Sequence, residues 1–349
     1  MDLKHLLKRG GLLAAANWPT VAIQFAAQTT FQLLITVPIV GAAILVAMLL
    51  GADLNHLLQG TTREIFTTIV ATLTAEPVAL TAFVASFGIM LIGGSILMFL
   101  AKGGAVDVML AADASAGPIE REPLTLAAFR TASCFTMARY VEGCGRLFRR
   151  YLVLGITLML IYSVSGVAAL AFIVYGYQLV GESLIFVGWA LVAAMTGIAL
   201  IFWITAVNVT YLFLQIAVAA EDLPLLAAAR HVWRFMRAEA RALGGVFLVV
   251  FVMVVAATLA SALAWSGVGL ITFVPLVGLL VAPLQLAALL VRGLVFEYIG
   301  LTAMGAYVTL YRRHLATVAA VSAKAGWGAQ GGLLDRAPAP MARSGMSMK

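Results

Sequence analysis

Charge is scarce in this chain: 11% of its 349 residues are Asp, Glu, Lys or Arg, where soluble proteins carry about 25%. With 63% hydrophobic residues and a mean hydropathy of +1.05, that shortage excludes water as the main solvent. Cysteine is nearly absent. Cys134 and Cys144 lie in a segment expected in the cytoplasm, which excludes a disulfide framework. Histidine is confined to His5, His56, His231 and His314, none at metal-ligand spacing, so no metal site is expected. The chain also lacks a Gly-x-x-x-x-Gly-Lys-Ser/Thr phosphate loop, a Gly-x-Ser-x-Gly elbow and paired intramembrane carboxylates. These absences predict no catalytic residue and no cofactor, and the chain reads as a protein that is not an enzyme.

What is abundant is apolar sequence in long runs. Crossing about 30 Å of hydrocarbon at about 1.5 Å per residue takes about 20 residues. That ruler cuts the chain into about six spans, near 31–50, 78–101, 151–175, 184–219, 243–265 and 289–311. The fold class is therefore an all-α membrane protein, with residues 1–323 forming a single polytopic domain. Pro275 and Pro283 interrupt the apolar stretch before the last span, so 268–288 is read as a broken re-entrant or interfacial segment. A short helix is expected near Thr62 to Leu73. The stretch 324–349, rich in Gly, Ala, Pro and Ser, is read as a disordered cytoplasmic tail.

Cations are sorted to one side of this arrangement. With six spans, 20 of the 22 Lys and Arg residues fall on the side of both termini, while Arg63 alone lies in a loop on the other side and Arg292 lies in the last span. The positive-inside rule makes that side the cytoplasm, so the expected location is a bacterial cytoplasmic membrane. A formal net charge of +7 could suggest nucleic acid. Because the cations lie between apolar runs, anionic lipid headgroups are the nearer partner, and no nucleic acid is expected.

Three basic amphipathic stretches each precede a pair of spans, which gives three helical hairpins, each led by an interfacial helix. The sharpest stretch carries Arg230, Arg234, Arg237 and Arg241 at i, i+4, i+7 and i+11, which confines four guanidinium groups to a wedge of about 60°. Leu225, Val232, Met236 and Leu243 take the opposite side. The stretch from Leu126 to Phe148 behaves similarly, with Arg139, Arg146 and Arg150 on its polar face. Such faces suit lipid phosphates or a cytoplasmic or membrane protein partner, and they also suit a plain topology determinant whose charges snorkel into headgroups.

Polar groups recur inside the spans. Gln24, Gln28 and Gln32 repeat every four residues, and Asn208 and Gln215 share a face of the fourth span. Unpaired amides in hydrocarbon cost several kcal/mol, about 2 to 7 by the reference chosen, so each needs an internal partner or a wet path. Arg292 and Glu297 are ionisable residues within the last span. About 140° apart around the helix, they should face different partners, with Glu297 toward the bundle.

The segment "AEDLPLLAAARHVWRFMRAEARALGG", with "FVPLVGLLVAPLQLAALLVRGLVFEYIGLTAMGAYVTLYRR" after it, resembles a broad group of uncharacterised bacterial six-helix membrane proteins. The group includes the membrane domain fused to some glycerophosphodiester phosphodiesterases. The resemblance covers mainly the C-terminal third and implies a fold and a lipid or envelope context, not an activity. Two functions follow from the residues. One is a non-enzymatic membrane protein assisting a lipid-handling, envelope-assembly or transport system through basic inner-face helices. The other is a transporter or permease subunit with a polar intramembrane path.

Overall fold

A computed structural model describes residues 2–50, 75–121, 125–180, 185–271 and 275–334, and among these the regular structure is entirely α-helical. The elements are α1 (Leu3–Ala16), α2 (Trp18–Leu50), α3 (Pro77–Ser115), α4 (Leu126–Ala132), α5 (Met137–Val180), α6 (Ile185–Glu221), α7 (Leu225–Ala238), α8 (Ala240–Ile271) and α9 (Pro275–Leu334). Six of them, α2, α3, α5, α6, α8 and α9, are long and apolar enough to cross a membrane. They pack as three hairpins, α2 with α3, α5 with α6 and α8 with α9. The helices leading each hairpin are α1, α4 and α7. The helix expected near Thr62 to Leu73 lies outside the described residues, as do residues 335–349.

Burial divides the bundle into two ends. At one end the long helices turn large apolar side chains outward: Ile44 on α2, Ile89 on α3, Leu160 on α5, Ile201 on α6, Leu259 on α8 and Leu284 on α9. The unbroken run of this belt ends at Leu100 on α3, Val153 on α5 and Tyr298 on α9, and isolated exposed apolar side chains return further along at Val141 and Met137 on α5 and at Val318 and Val321 on α9. Beyond those positions the same helices close around a core that includes Val106, Met109, Leu147, Tyr151, Phe213, Ile216 and Tyr311, with α1 and α7 supplying Leu13 and Phe235. Leaving the belt residues outward is favourable only if acyl chains, not water, surround them. The cations also collect at the core end, which makes it the basic end of the molecule.

Close approach and full hydrogen bonding hold α1 in place at the basic end. A Cβ on Gly10 would sit 2.3 Å from the backbone oxygen of Thr302, so only glycine lets α1 lie this close against α9. Asn17, fully buried, caps α1 and uses its whole amide. It donates to Leu13 O and Ala132 O, and it accepts from the backbone N–H groups of Cys134 and Phe135, all at 2.9 Å. That residue stitches the α1–α2 junction to the α4–α5 connection. Thr125 caps α4 by accepting from the Ala128 N–H at 3.2 Å. Asp222, at φ 56°, ends α6 in the left-handed conformation that closes many helices, ahead of Pro224.

Three features differ from the sequence expectation. First, the amphipathic stretch through Phe148 is not a separate helix. After the break that follows α4, α5 runs unbroken from Met137 to Val180, and its first three turns lengthen the expected span at the core end instead of forming an interfacial helix. Second, the stretch 268–288 is helical at 268–271 and 275–288. Pro275 takes the first helical position, where its missing N–H costs nothing, and Pro283 is carried inside the helix. With 60 residues α9 is about 90 Å long, three times the hydrocarbon thickness, and it continues to Leu334, into the stretch expected to be disordered. Of the expected span 289–311, residues before 299 mostly face outward and 301–311 are buried. Third, Glu239 separates α7 from α8, so Arg241 begins the next helix instead of continuing the stripe.

Candidate functional site

Two arrangements at the basic end gather charge. The first is built on Arg9, which α1 carries into the core at 7% exposure. Its Nε donates to Asp113 Oδ1 at 2.7 Å, its Nη1 to Glu120 Oε2 at 2.8 Å and to the Gly117 carbonyl, and its Nη2 to the Asp113 carbonyl at 2.9 Å. Gly117, at φ 56°, turns the chain after α3 so that Glu120 comes back to the same guanidinium. Thr309 of α9 donates to Asp113 Oδ1 at 2.7 Å, and Lys8 donates to the Glu120 carbonyl at 3.0 Å. Arg312 reaches Asp113 Oδ2 at 3.3 Å and Arg313 reaches Glu120 Oε1 at 3.8 Å.

Ionisation follows from these contacts. Burial opposes the charge on Glu120, but a backbone N–H and the guanidinium groups of Arg9 and Arg313 outweigh it and hold its carboxyl below the usual carboxylate range. Burial likewise opposes the charge on Arg9, and Asp113 and Glu120 more than restore it. A cleft of about 440 Å³ opens over this group, with Arg121, Arg312 and Arg313 on its walls.

The second arrangement is the outward face of α7. Val232 and Phe235 enter the core, where Phe235 meets Phe213, Tyr311 and His314 edge-on with ring centroids 5.0 to 5.5 Å apart. Tyr311 donates to Glu221, which also meets His231 at 3.1 Å. Anchored so, α7 turns Arg230, Arg234 and Arg237 outward together with Leu226 and Trp233, and Arg241 follows at the start of α8. Arg237 lies 4.6 Å from the Trp233 ring centre. None of these four arginines meets a carboxylate among the described residues. The other basic residues singled out from sequence are differently placed: Arg146 pairs with Asp107, Arg150 pairs with Asp222, and Arg139 donates to the Cys134 carbonyl.

The intramembrane candidates scatter. Gln24 is buried at the basic end of α2, Gln28 is half-buried and Gln32 faces outward in the belt, so the glutamine repeat passes from core to lipid-facing surface within three turns. Asn208 accepts from Tyr162, while Gln215 is fully buried. Among the described residues the amide nitrogens of Gln24 and Gln215 and the Tyr211 hydroxyl have no hydrogen-bond partner. Glu297 lies within the field of Lys102, whose ammonium sits 5.8 Å from the Tyr211 ring centre. Arg292 faces outward on a largely apolar groove of about 510 Å³ between α8 and α9, 5.7 Å from the Phe296 ring centre. Among the described residues no group of three or more His, Cys, Asp or Glu could hold a metal ion.

The sequence reading missed Arg9, Asp113, Glu120 and Asn17. Arg9 was visible only as one cation among several, and nothing local pairs it with carboxylates more than a hundred positions away. The fold and this site define a six-span helical membrane protein with a packed basic end. No family model, curated protein or solved structure matches the chain.

Proposed function

We propose that the chain is a non-enzymatic multi-pass protein of the bacterial cytoplasmic membrane, with both termini in the cytoplasm. In this reading it assists a lipid-handling, envelope-assembly or transport system and holds anionic lipid headgroups against its basic end. The observation that carries it is the outward face of α7, where Arg230, Arg234 and Arg237, followed by Arg241 at the start of α8 and all without a carboxylate partner among the described residues, stand beside exposed Trp233 and Leu226. Arg241 lies six residues before Phe247, the first exposed large apolar side chain of α8, or about 9 Å from the belt along the helix axis. At that height, just past the headgroup layer, a long arginine side chain snorkels back to headgroup phosphates, and an indole among such cations suits the same interface.

The test is thermal unfolding of the purified chain in nanodiscs of neutral lipid with and without an anionic lipid. Anionic lipid should raise the unfolding temperature, and the rise should shrink with salt. Changing Arg230, Arg234, Arg237 and Arg241 together to Gln should remove the rise; a variant responding like the wild type would exclude headgroup recognition by α7.

A second reading, a transporter or permease subunit, draws on Glu297 and Lys102. Two ionisable side chains within the bundle, together with the buried amide nitrogens of Gln24 and Gln215 that have no partner among the described residues, are the kind of groups that line a polar path. That reading expects Glu297→Gln to stop movement of the transported species while the protein stays folded. Unchanged uptake in reconstituted vesicles would exclude it.

A further inference from the structure

The cleft over Arg9 has more guanidinium than its carboxylates use. Arg9 engages four of its five N–H donors with Asp113, Glu120 and the Gly117 and Asp113 carbonyls, so the two acids are already matched from within the core. Arg312 gives only long bonds from one nitrogen, at 3.3 and 3.4 Å. The side chains of Arg313 and Arg121 donate no hydrogen bond to any described residue, although Arg313 stands 3.8 Å from Glu120. Counting the four arginines of the cleft against its two carboxylates leaves an excess of two positive charges around an open space of about 440 Å³.

We infer that this cleft, formed by α1, the turn at 116–121 after α3 and the α9 segment near Arg312, is a binding site for a phosphoryl group. Three guanidinium groups with donors to spare, turned toward one recess, match the several acceptor oxygens of a phosphoryl group and its charge. A divalent cation would find both carboxylates already occupied by Arg9, and an apolar ligand would strand the arginines. The volume falls within the range of about 300 to 1,000 Å³ typical of small-molecule sites, so the group has room to arrive as part of a larger compound.

Two sources carry this chemistry, a soluble phosphorylated compound and a lipid headgroup, and depth separates them. Asp113 lies 13 residues beyond Leu100, and Arg312 lies 14 residues beyond Tyr298, the positions where the unbroken belt ends on α3 and α9. Along either helix the cleft is therefore roughly 20 Å past the belt, whereas a headgroup layer is about 5 to 8 Å thick. A soluble compound reaches the cleft directly, while a headgroup would have to leave its leaflet. This site is independent of the α7 face, and either can fail without the other.

The experiment is a titration of the purified full-length protein with inorganic phosphate in a neutral detergent, read by calorimetry and thermal unfolding against chloride at equal ionic strength. Phosphate should bind saturably and raise the unfolding temperature beyond the chloride control. The double variant Arg121→Gln/Arg313→Gln should weaken binding at least about tenfold, because each loses charge-assisted bonds, and the four Arg→Gln changes in the α7 stripe should leave it unchanged. Repeating the titration in nanodiscs of phosphatidylcholine with and without phosphatidic acid assigns the source. Equal phosphate affinity in both supports a soluble compound, and loss of phosphate binding with phosphatidic acid supports a headgroup in the cleft. Phosphate acting no differently from chloride, or the double variant binding like the wild type, overturns the site; the wild-type titration stands even if the variant does not fold.

Discussion

Arg9 and Arg234 lie at the same end of the molecule, yet they stand in opposite relation to water. Arg9 is 7% exposed and holds two carboxylates and two carbonyls, while Arg234 faces outward with no carboxylate near it among the described residues. The first arrangement is tolerable only because every charge it buries is matched, and removing one member leaves the others stranded. Among the described residues the Arg234 side chain makes no hydrogen bond or ion pair that its loss would break. One cation is therefore a structural cross-link among α1, α3 and α9, and the other is available to something outside the chain.

Arg9→Gln tests the first half of that contrast most severely. It should lower the stability of the detergent-solubilised protein by about 3 to 5 kcal/mol, the usual consequence of orphaning a buried charge partner, measured by thermal or denaturant unfolding. Arg9→Lys should recover little, because an ammonium cannot serve two carboxylates and two carbonyls from one fork. A loss below about 0.5 kcal/mol, the range of ordinary surface changes, would place Arg9 with the outward arginines. Asn17→Leu comes next, at about 1 to 3 kcal/mol, since it leaves the buried Ala132 carbonyl and the partly buried Cys134 and Phe135 N–H groups without their partner.

The two sets also differ in how far they could be read from sequence. The α7 stripe is local: its residues share a face because 100° per residue puts them there, and the burial of Val232 and exposure of Arg230, Arg234 and Arg237 follow that period. The Arg9 cluster depends on pairings across 104 and 111 positions, which no helical period encodes, so Arg9 could be seen only as a topology signal. Asn17 was hidden for the same reason. The six spans and three hairpins were legible from apolar length and cation sorting. The depth at which core gives way to belt was not, because α9 is apolar on both sides of Tyr298 and the packing of α1, α3 and α6 against it, with the Phe235 ring of α7 on Tyr311, decides which part is buried. The glutamine repeat misled in a related way, since a constant period along α2 crosses from one environment into the other.

Acid should act on the two sets differently as well. The Glu120 carboxyl is held below its ordinary range by Arg9, Arg313 and a backbone N–H. Its contribution is therefore complete above the pKa of an unfolded-chain carboxylate and is lost as pH falls through its depressed value in the folded protein. Thermal unfolding followed downward in pH should show that loss in the wild type and a flatter profile in Glu120→Gln. Profiles of equal steepness would mean that the Arg9 cluster does not depend on the charge of Glu120.

The smallest effect on stability, and the sharpest separation of the two sets, should come from α7. Changing Arg230, Arg234, Arg237 and Arg241 to Lys keeps the charge and alters the geometry, the reverse of what Arg9 tolerates. Surface cations without partners contribute within about 0.5 kcal/mol to folding, and the one specific contact at stake, Arg237 over Trp233, adds about 0.5 to 1 kcal/mol. Headgroup attraction depends on charge near the surface and not on a fork of donors. The Lys variant should therefore unfold within a few degrees of the wild type and keep its salt-sensitive response to anionic lipid. If the Lys variant lost that response as fully as the Gln variant, the outward arginines would be reading donor geometry, and α7 would belong with Arg9 after all.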